Sequence, residues 1–161
     1  MHQINSTVQA QREWIENYFQ CPKEYYFVVE RKRDRVREGL TSLLDFDDKK
    51  LSAQWGRLII RPGSLAAIET GLLMLRLAFD IFCLSEVWGT VLANNVRMLA
   101  FVESLGFEQH ETITISVNGE THEGFKVILT KQRWQSFDKK VIRPAHDRSQ
   151  IDCNPLGERN R

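Results

Sequence analysis

Cysteine is scarce in this chain, and the little there is lies scattered. Cys21, Cys83 and Cys153 form an odd set, without the close pairs of a zinc site or the density of a disulfide-stapled domain. The simplest reading is reduced thiols in a cytoplasmic protein. Long apolar runs are missing too. The longest, Leu72 to Leu84, is interrupted by Arg76 and Asp80 and is too short to cross a bilayer, so it reads as a buried helix. Met1–Asn5 has neither the basic start nor the apolar run of a secretory leader. Nor does one sign of charge dominate: 22 Lys plus Arg face 21 Asp plus Glu, so no global field favours nucleic acid or an anionic membrane. What remains is the composition of one globular domain, 42% hydrophobic and 27% charged over 161 residues, long enough to bury a core. No internal repeat is visible.

Ser6 or Thr7 can cap a first helix, with Gln9 spaced from Ser6 as in a capping box. Trp14, Ile15, Tyr18 and Phe19 share a face of it and read as a core stripe, and Pro22 ends it. Tyr25–Glu30 is aromatic and β-branched, hence a strand. The basic run Arg31–Arg37 could attract phosphates, but between two strands it reads most simply as a solvated hairpin tip. Leu40–Leu44 is the next strand. The carboxylates of the turn that follows, Asp45 to Lys50, lack the spacing of a calcium loop.

A third strand, from about Leu51 to Arg61, stops at Pro62-Gly63, where an N–H is lost and unusual dihedrals are tolerated. A helix over Ile68–Phe82, apolar nearly all round, is expected to be covered by the sheet on one side and by helices on the other. Glu86–Leu92 is again a strand. Asn94-Asn95 then opens a short helix closed by Leu105-Gly106-Phe107, with Gly106 suited to a left-handed C′ position. Strand, loop, helix and strand in this order make a right-handed crossover unit. The loop that opens its helix presents backbone N–H groups without partners, an arrangement suited to phosphate. Further on, Ile113, Ile115 and Val117 alternate with polar residues, Asn118-Gly119 is a strong hairpin signal, and Phe125, Val127 and Leu129 line one face of the return strand. Residues 1–134 therefore read as the domain. Residues 135–161 read as a polar, poorly ordered tail, with weak order near Phe137 and Val141-Ile142.

Trp55-Gly56-Arg57 leading into the loop, Asn95-Val96-Arg97-Met98-Leu99, and Leu105-Gly106-Phe107 together resemble the GNAT acyltransferase superfamily over roughly Ser6 to Trp134. Within it the chain looks closest to the RimJ/RimL-like and amino-sugar N-acetyltransferase branch. The resemblance implies an α/β fold: a mixed central sheet, mostly antiparallel, with one splayed parallel strand pair and flanking helices. It implies acetyl-CoA as co-substrate, its pantetheine arm lying along Leu58, Ile59 and Ile60. The family's diphosphate loop, Gln/Arg-x-x-Gly-x-Gly/Ala, is matched by Arg61-Pro62-Gly63-Ser64-Leu65-Ala66, with Ser64 in place of the first Gly. A register one residue later brings in Ala67 and Ile68. A plain strand-to-helix connection is the alternative. Asn95 would contact the co-substrate near the thioester, cap the last helix, or do both. Gln54 and Trp55 are weaker candidates for the acceptor side.

The same resemblance exposes departures. Where many relatives carry a tyrosine that can protonate the leaving thiolate, this chain has Val102, and Gln54 stands where some carry a glutamate. The family's first strand and helix have no counterpart ahead of the first helix expected here. Glu69 suits the helix dipole better than base catalysis, and His110 and His122 read as surface strand residues. No persuasive Ser-His-Asp order, carboxylate pair or nucleophilic cysteine is present. The implied activity is transfer of acetyl to a primary amine of an amino sugar or a peptide N-terminus; a non-catalytic acyl-CoA-binding module, or a truncated and inactive acetyltransferase, is the alternative. No nucleic-acid, membrane or metal partner is expected, and an exposed sheet edge would suit a homodimer.

Overall fold

The computed structural model describes residues 7–18, 24–117 and 119–141. Six strands, β1 (Tyr25–Glu30), β2 (Arg37–Asp47), β3 (Ser52–Ile60), β4 (Glu86–Leu92), β5 (Glu108–Val117) and β6 (Glu120–Thr130), form one sheet in the order β1-β2-β3-β4-β6-β5. Every neighbouring pair is antiparallel except β3 and β4, which run parallel. The expected mixed sheet with a single parallel pair is therefore present. Four helices accompany it: α1 (Val8–Tyr18), α2 (Ala66–Arg76), α3 (Val96–Ser104) and α4 (Lys131–Val141). The chain leaves α2 through a π-helical turn, Leu77–Ile81.

One face of the sheet carries the core. Leu43, Ala53, Val87 and Leu129, all fully buried, meet Leu75 and Phe79 from α2 and its π turn. Phe79 stacks on Trp134 of α4 with ring centroids 6.1 Å apart. Trp55 lies under α3 against Phe101 and Phe107, and its indole N–H donates to Thr41 Oγ1 at 2.8 Å, which satisfies the polar end of a buried ring. On the opposite face Val28, Leu40 and Ile59 stand side by side in register across β1, β2 and β3, all exposed.

Local signals explain most element ends. Thr7 Oγ1 accepts from the Ala10 amide at 3.2 Å and caps α1. Gly106, at φ 94°, ends α3: its N–H donates to Glu103 O at 2.9 Å and the Phe107 N–H to Val102 O at 3.1 Å, a Schellman closure. Gly119, at φ 83°, turns the β5–β6 hairpin, while Asn118 lies outside the described residues.

Several expectations need correction. The helix after the loop begins at Ala66 rather than Ile68, because Ser64 Oγ already accepts the Ala66 amide and starts the turn. It is not covered on both sides: Ile68, Leu73 and Ile81 are exposed. The segment from Gln135 opens inside α4, which Trp134 anchors in the core; residues 142–161 lie outside the described residues. Ile15 of the expected core stripe is 46% exposed, and the side chains of Trp14, Tyr18 and Phe19 lie outside the described set. Cys83 is disulfide-bonded, with its partner outside the described residues, so the expectation of reduced thiols fails there. Separation along the sequence says nothing about separation in the folded chain, and cysteine spacing no longer argues for a reducing compartment. Among the described residues no helix is long and apolar enough to cross a membrane.

Candidate functional site

β3 and β4 are joined by only three rungs, Ser52↔Glu86, Ala53↔Val87 and Gln54↔Trp88. Beyond Gln54 the strands part. The cause lies in β3: Ile59 faces Leu40 but Gly56 faces Ser42, so β3 carries one residue more than β2 over this stretch, and Arg57 takes φ 52°. A bulge of this kind bends its strand away from the neighbour. Gly89 keeps the vertex narrow, since a Cβ there would sit 3.2 Å from the Trp55 carbonyl oxygen. Between the parted strands lies a gap of about 100 Å³, walled by Arg57, Leu58, Thr90 and Met98 and floored by Val102 and Phe107.

The edge of β3 that has left β4 carries Leu58, Ile59 and Ile60 and runs straight into the loop. The Arg61 amide donates to Glu38 O at 2.8 Å, which fixes where the strand ends. Gly63 at φ 81° and the Ser64 N–H donating to Arg61 O at 3.1 Å then turn the chain. Ser64 Oγ takes the Ala66 amide at 3.1 Å. Leu65 is the N-cap of α2 and offers no side-chain hydrogen bond, so the start of the helix stays open. Among the described residues no acceptor meets the amides of Gly63, Leu65, Ala67 or Ile68. Aligned N–H groups at the positive end of a helix dipole suit an anion, and a diphosphate matches several at once. Ala66, Ala67 and Ile68 thus act as the first turn of α2 rather than as loop.

Across the gap, Asn95 caps α3: its Oδ1 accepts the Met98 amide at 3.2 Å. That leaves its side-chain N–H₂ group, on an exposed residue, as a donor. Gln54 stands at the vertex where pairing ends, half-buried. Trp55 is 8% exposed and bound within the core, so it shapes the gap from beneath. Val102, 6% exposed, puts an apolar side chain into the gap floor. Neither His110 nor His122 lines the gap, and His122 lies 3.7 Å from Glu120 near the hairpin tip. Arg57, Thr90 and Met98 are gap residues that sequence reasoning did not single out. Arg57 and Met98 lie inside the motifs that carry the resemblance, but neither carries an expected role there, because a side-chain pattern shows neither a left-handed backbone nor the gap it opens.

The sequence pattern of a family described as Acetyltransferase (GNAT) domain matches residues 1–108, more than half of the chain. Among curated proteins no relative matches. Solved structures of the spermidine N-acetyltransferase from Vibrio cholerae share the fold. The complex with CoA and spermine has 19% identity and a TM-score of 0.74, covering 83% of this chain and 81% of that one. A form in complex with manganese ions has 20% identity and a TM-score of 0.71, covering 82% and 79%. A dodecameric structure in an intermediate state has 20% identity and a TM-score of 0.70, covering 81% and 78%. The co-substrate this family uses is acetyl-CoA. The matched span takes in β3, the loop, α2 and β4, and on it the chain belongs to the GNAT acetyltransferase family.

Proposed function

We propose that this protein transfers acetyl from acetyl-CoA to a primary amine of a small molecule, bound on the Gln54 side of the gap. The observation that carries the reading is the set of unmet amides of Gly63, Leu65, Ala67 and Ile68 at the end of a strand that has parted from its parallel neighbour. Leu58–Ile60 would hold the pantetheine arm as an added strand, and the Asn95 side-chain amide would donate near the thioester. The amine nitrogen attacks the acetyl carbonyl, a C–N bond forms, the C–S bond breaks, and one proton passes from nitrogen to the leaving sulfur. With apolar Val102 in the gap floor, that proton travels by solvent or by the acceptor itself. Loss of one general acid slows such a step by roughly 10²–10⁴-fold without abolishing it, since thiolate is a tolerable leaving group.

Fold neighbours named as spermidine N-acetyltransferases make a polyamine the first acceptor to try. An amino sugar and a peptide N-terminus, the acceptors of the branch the sequence resembles, come next. Calorimetric titration with acetyl-CoA, followed by thiol release with these three amines, tests the reading. Saturable release with one of them is expected, and absence of any binding at about millimolar acetyl-CoA would sink it. Val102 and Gln54 favour a second reading, an acyl-CoA-binding module without turnover, which predicts binding but no thiol release with any amine.

A further inference from the structure

The basic turn between β1 and β2 does more than face solvent. It forms one wall of a cleft of about 890 Å³ whose other wall is the Arg61–Ala66 loop and the first turns of α2. Most acidic groups of the turn are already matched: Glu30 by Arg35 at 2.8 Å, and Glu38 and Asp34 by Arg31 at 3.5 Å and 2.8 Å. Among the described residues Lys32 and Arg61 enter no ion pair, and Arg33, 81% exposed, reaches only Asp34 at 3.6 Å. Glu69, on the first turn of α2, is the remaining counter-charge of the cleft. A surplus of cations therefore stands across from amides that meet no acceptor.

Those amides suffice for a diphosphate, so the cations call for a further anionic group on the same ligand. A phosphate monoester is close to doubly charged at neutral pH, and the fork of an arginine and the point charge of a lysine both suit it. We propose that Lys32 and Arg33, with Arg61, bind the ribose 3′-phosphate of the coenzyme, so that the β1–β2 turn tells CoA from its 3′-dephosphorylated form. This rests on the acetyl-CoA reading above.

Calorimetry on the full chain with CoA and with 3′-dephospho-CoA, repeated on the double variant Lys32→Gln/Arg33→Gln, decides it. Arg31 is left in place because it holds Asp34 and Glu38. The unaltered protein should prefer CoA by roughly tenfold. The variant should lose that preference, bind dephospho-CoA as before and melt at the same temperature, and the preference should shrink as salt is raised. Equal affinity for both ligands in the unaltered protein, or an equal loss of both in the variant, overturns this proposal alone. Failure of both ligands to bind overturns the acetyl-CoA reading with it.

Discussion

Asn95 has one polar atom for the observed cap and another for the proposed contact with the co-substrate, which allows the two to be separated. The oxygen caps α3 through the Met98 amide, whereas the N–H₂ group is what the gap would use. Asn95→Asp keeps the cap, so denaturation midpoints should barely move while affinity for acetyl-CoA falls. Asn95→Ala should cost about 1 kcal/mol of stability as well. Asp47 offers a pH test. The Lys50 amide, and with it the Lys49 amide, hold its carboxylate below the usual aspartate range, at 3.1 Å and 2.9 Å. A depressed folded-state pKa means stabilisation present above the unfolded value and lost as pH falls through the folded one. The stability difference between the parent and Asp47→Ala should therefore shrink on acidification, and NMR titration of the carboxyl should show the lowered midpoint. At this scale the sequence was readable wherever a residue type has one mechanical use. Asn before a helix and Gly after one were placed correctly. Arg57 was not, because its φ of 52° comes from pairing with β2 and no property of arginine demands it.

On the proposed function the deciding element is the first turn of α2, where backbone amides rather than side chains would meet the diphosphate. Ala67→Pro removes one such N–H at a position where a helix tolerates proline. Binding of acetyl-CoA should weaken by roughly tenfold, the order of one charge-assisted hydrogen bond, with little change in melting temperature. Trp134→Ala should do the reverse. Deleting a ring that is 2% exposed and stacked on Phe79 should cost about 3–5 kcal/mol in chemical denaturation, while the loop stays intact. β4 was legible to its ends, and so was the break at Pro62-Gly63, since proline and glycine act locally. α4 was missed. Along Lys131–Val141 only Trp134, Phe137 and Val141 are apolar, too sparse a stripe to mark a helix, and the side-chain bonds that seat it are distant in sequence. Arg133 Nε donates to Gly106 O at 2.6 Å, and Arg133 also meets Glu108 at 2.8 Å. β2 outruns the apolar stretch Leu40–Leu44 at both ends for a similar reason. Glu38 looks like loop until Arg31 is seen beside it, and it is 7% exposed in the sheet.

For the whole molecule, a ligand that binds the folded state alone must raise its stability. At acetyl-CoA a hundredfold above its dissociation constant the gain is about 2.7 kcal/mol, which for a chain of this size moves the melting temperature by roughly 5–10 °C. The sheet also divides into two halves of three strands, β1-β2-β3 and β4-β6-β5, bound by three rungs and by what lies above them. The molecule resembles a book whose two boards share a short spine. In the empty protein the amides of Trp55–Ile60 and Gly89–Leu92 that point into the gap should exchange faster than those of the same stretches that point to β2 and β6. A pantetheine chain laid between the boards would act as the missing stitching and slow exchange on both sides at once.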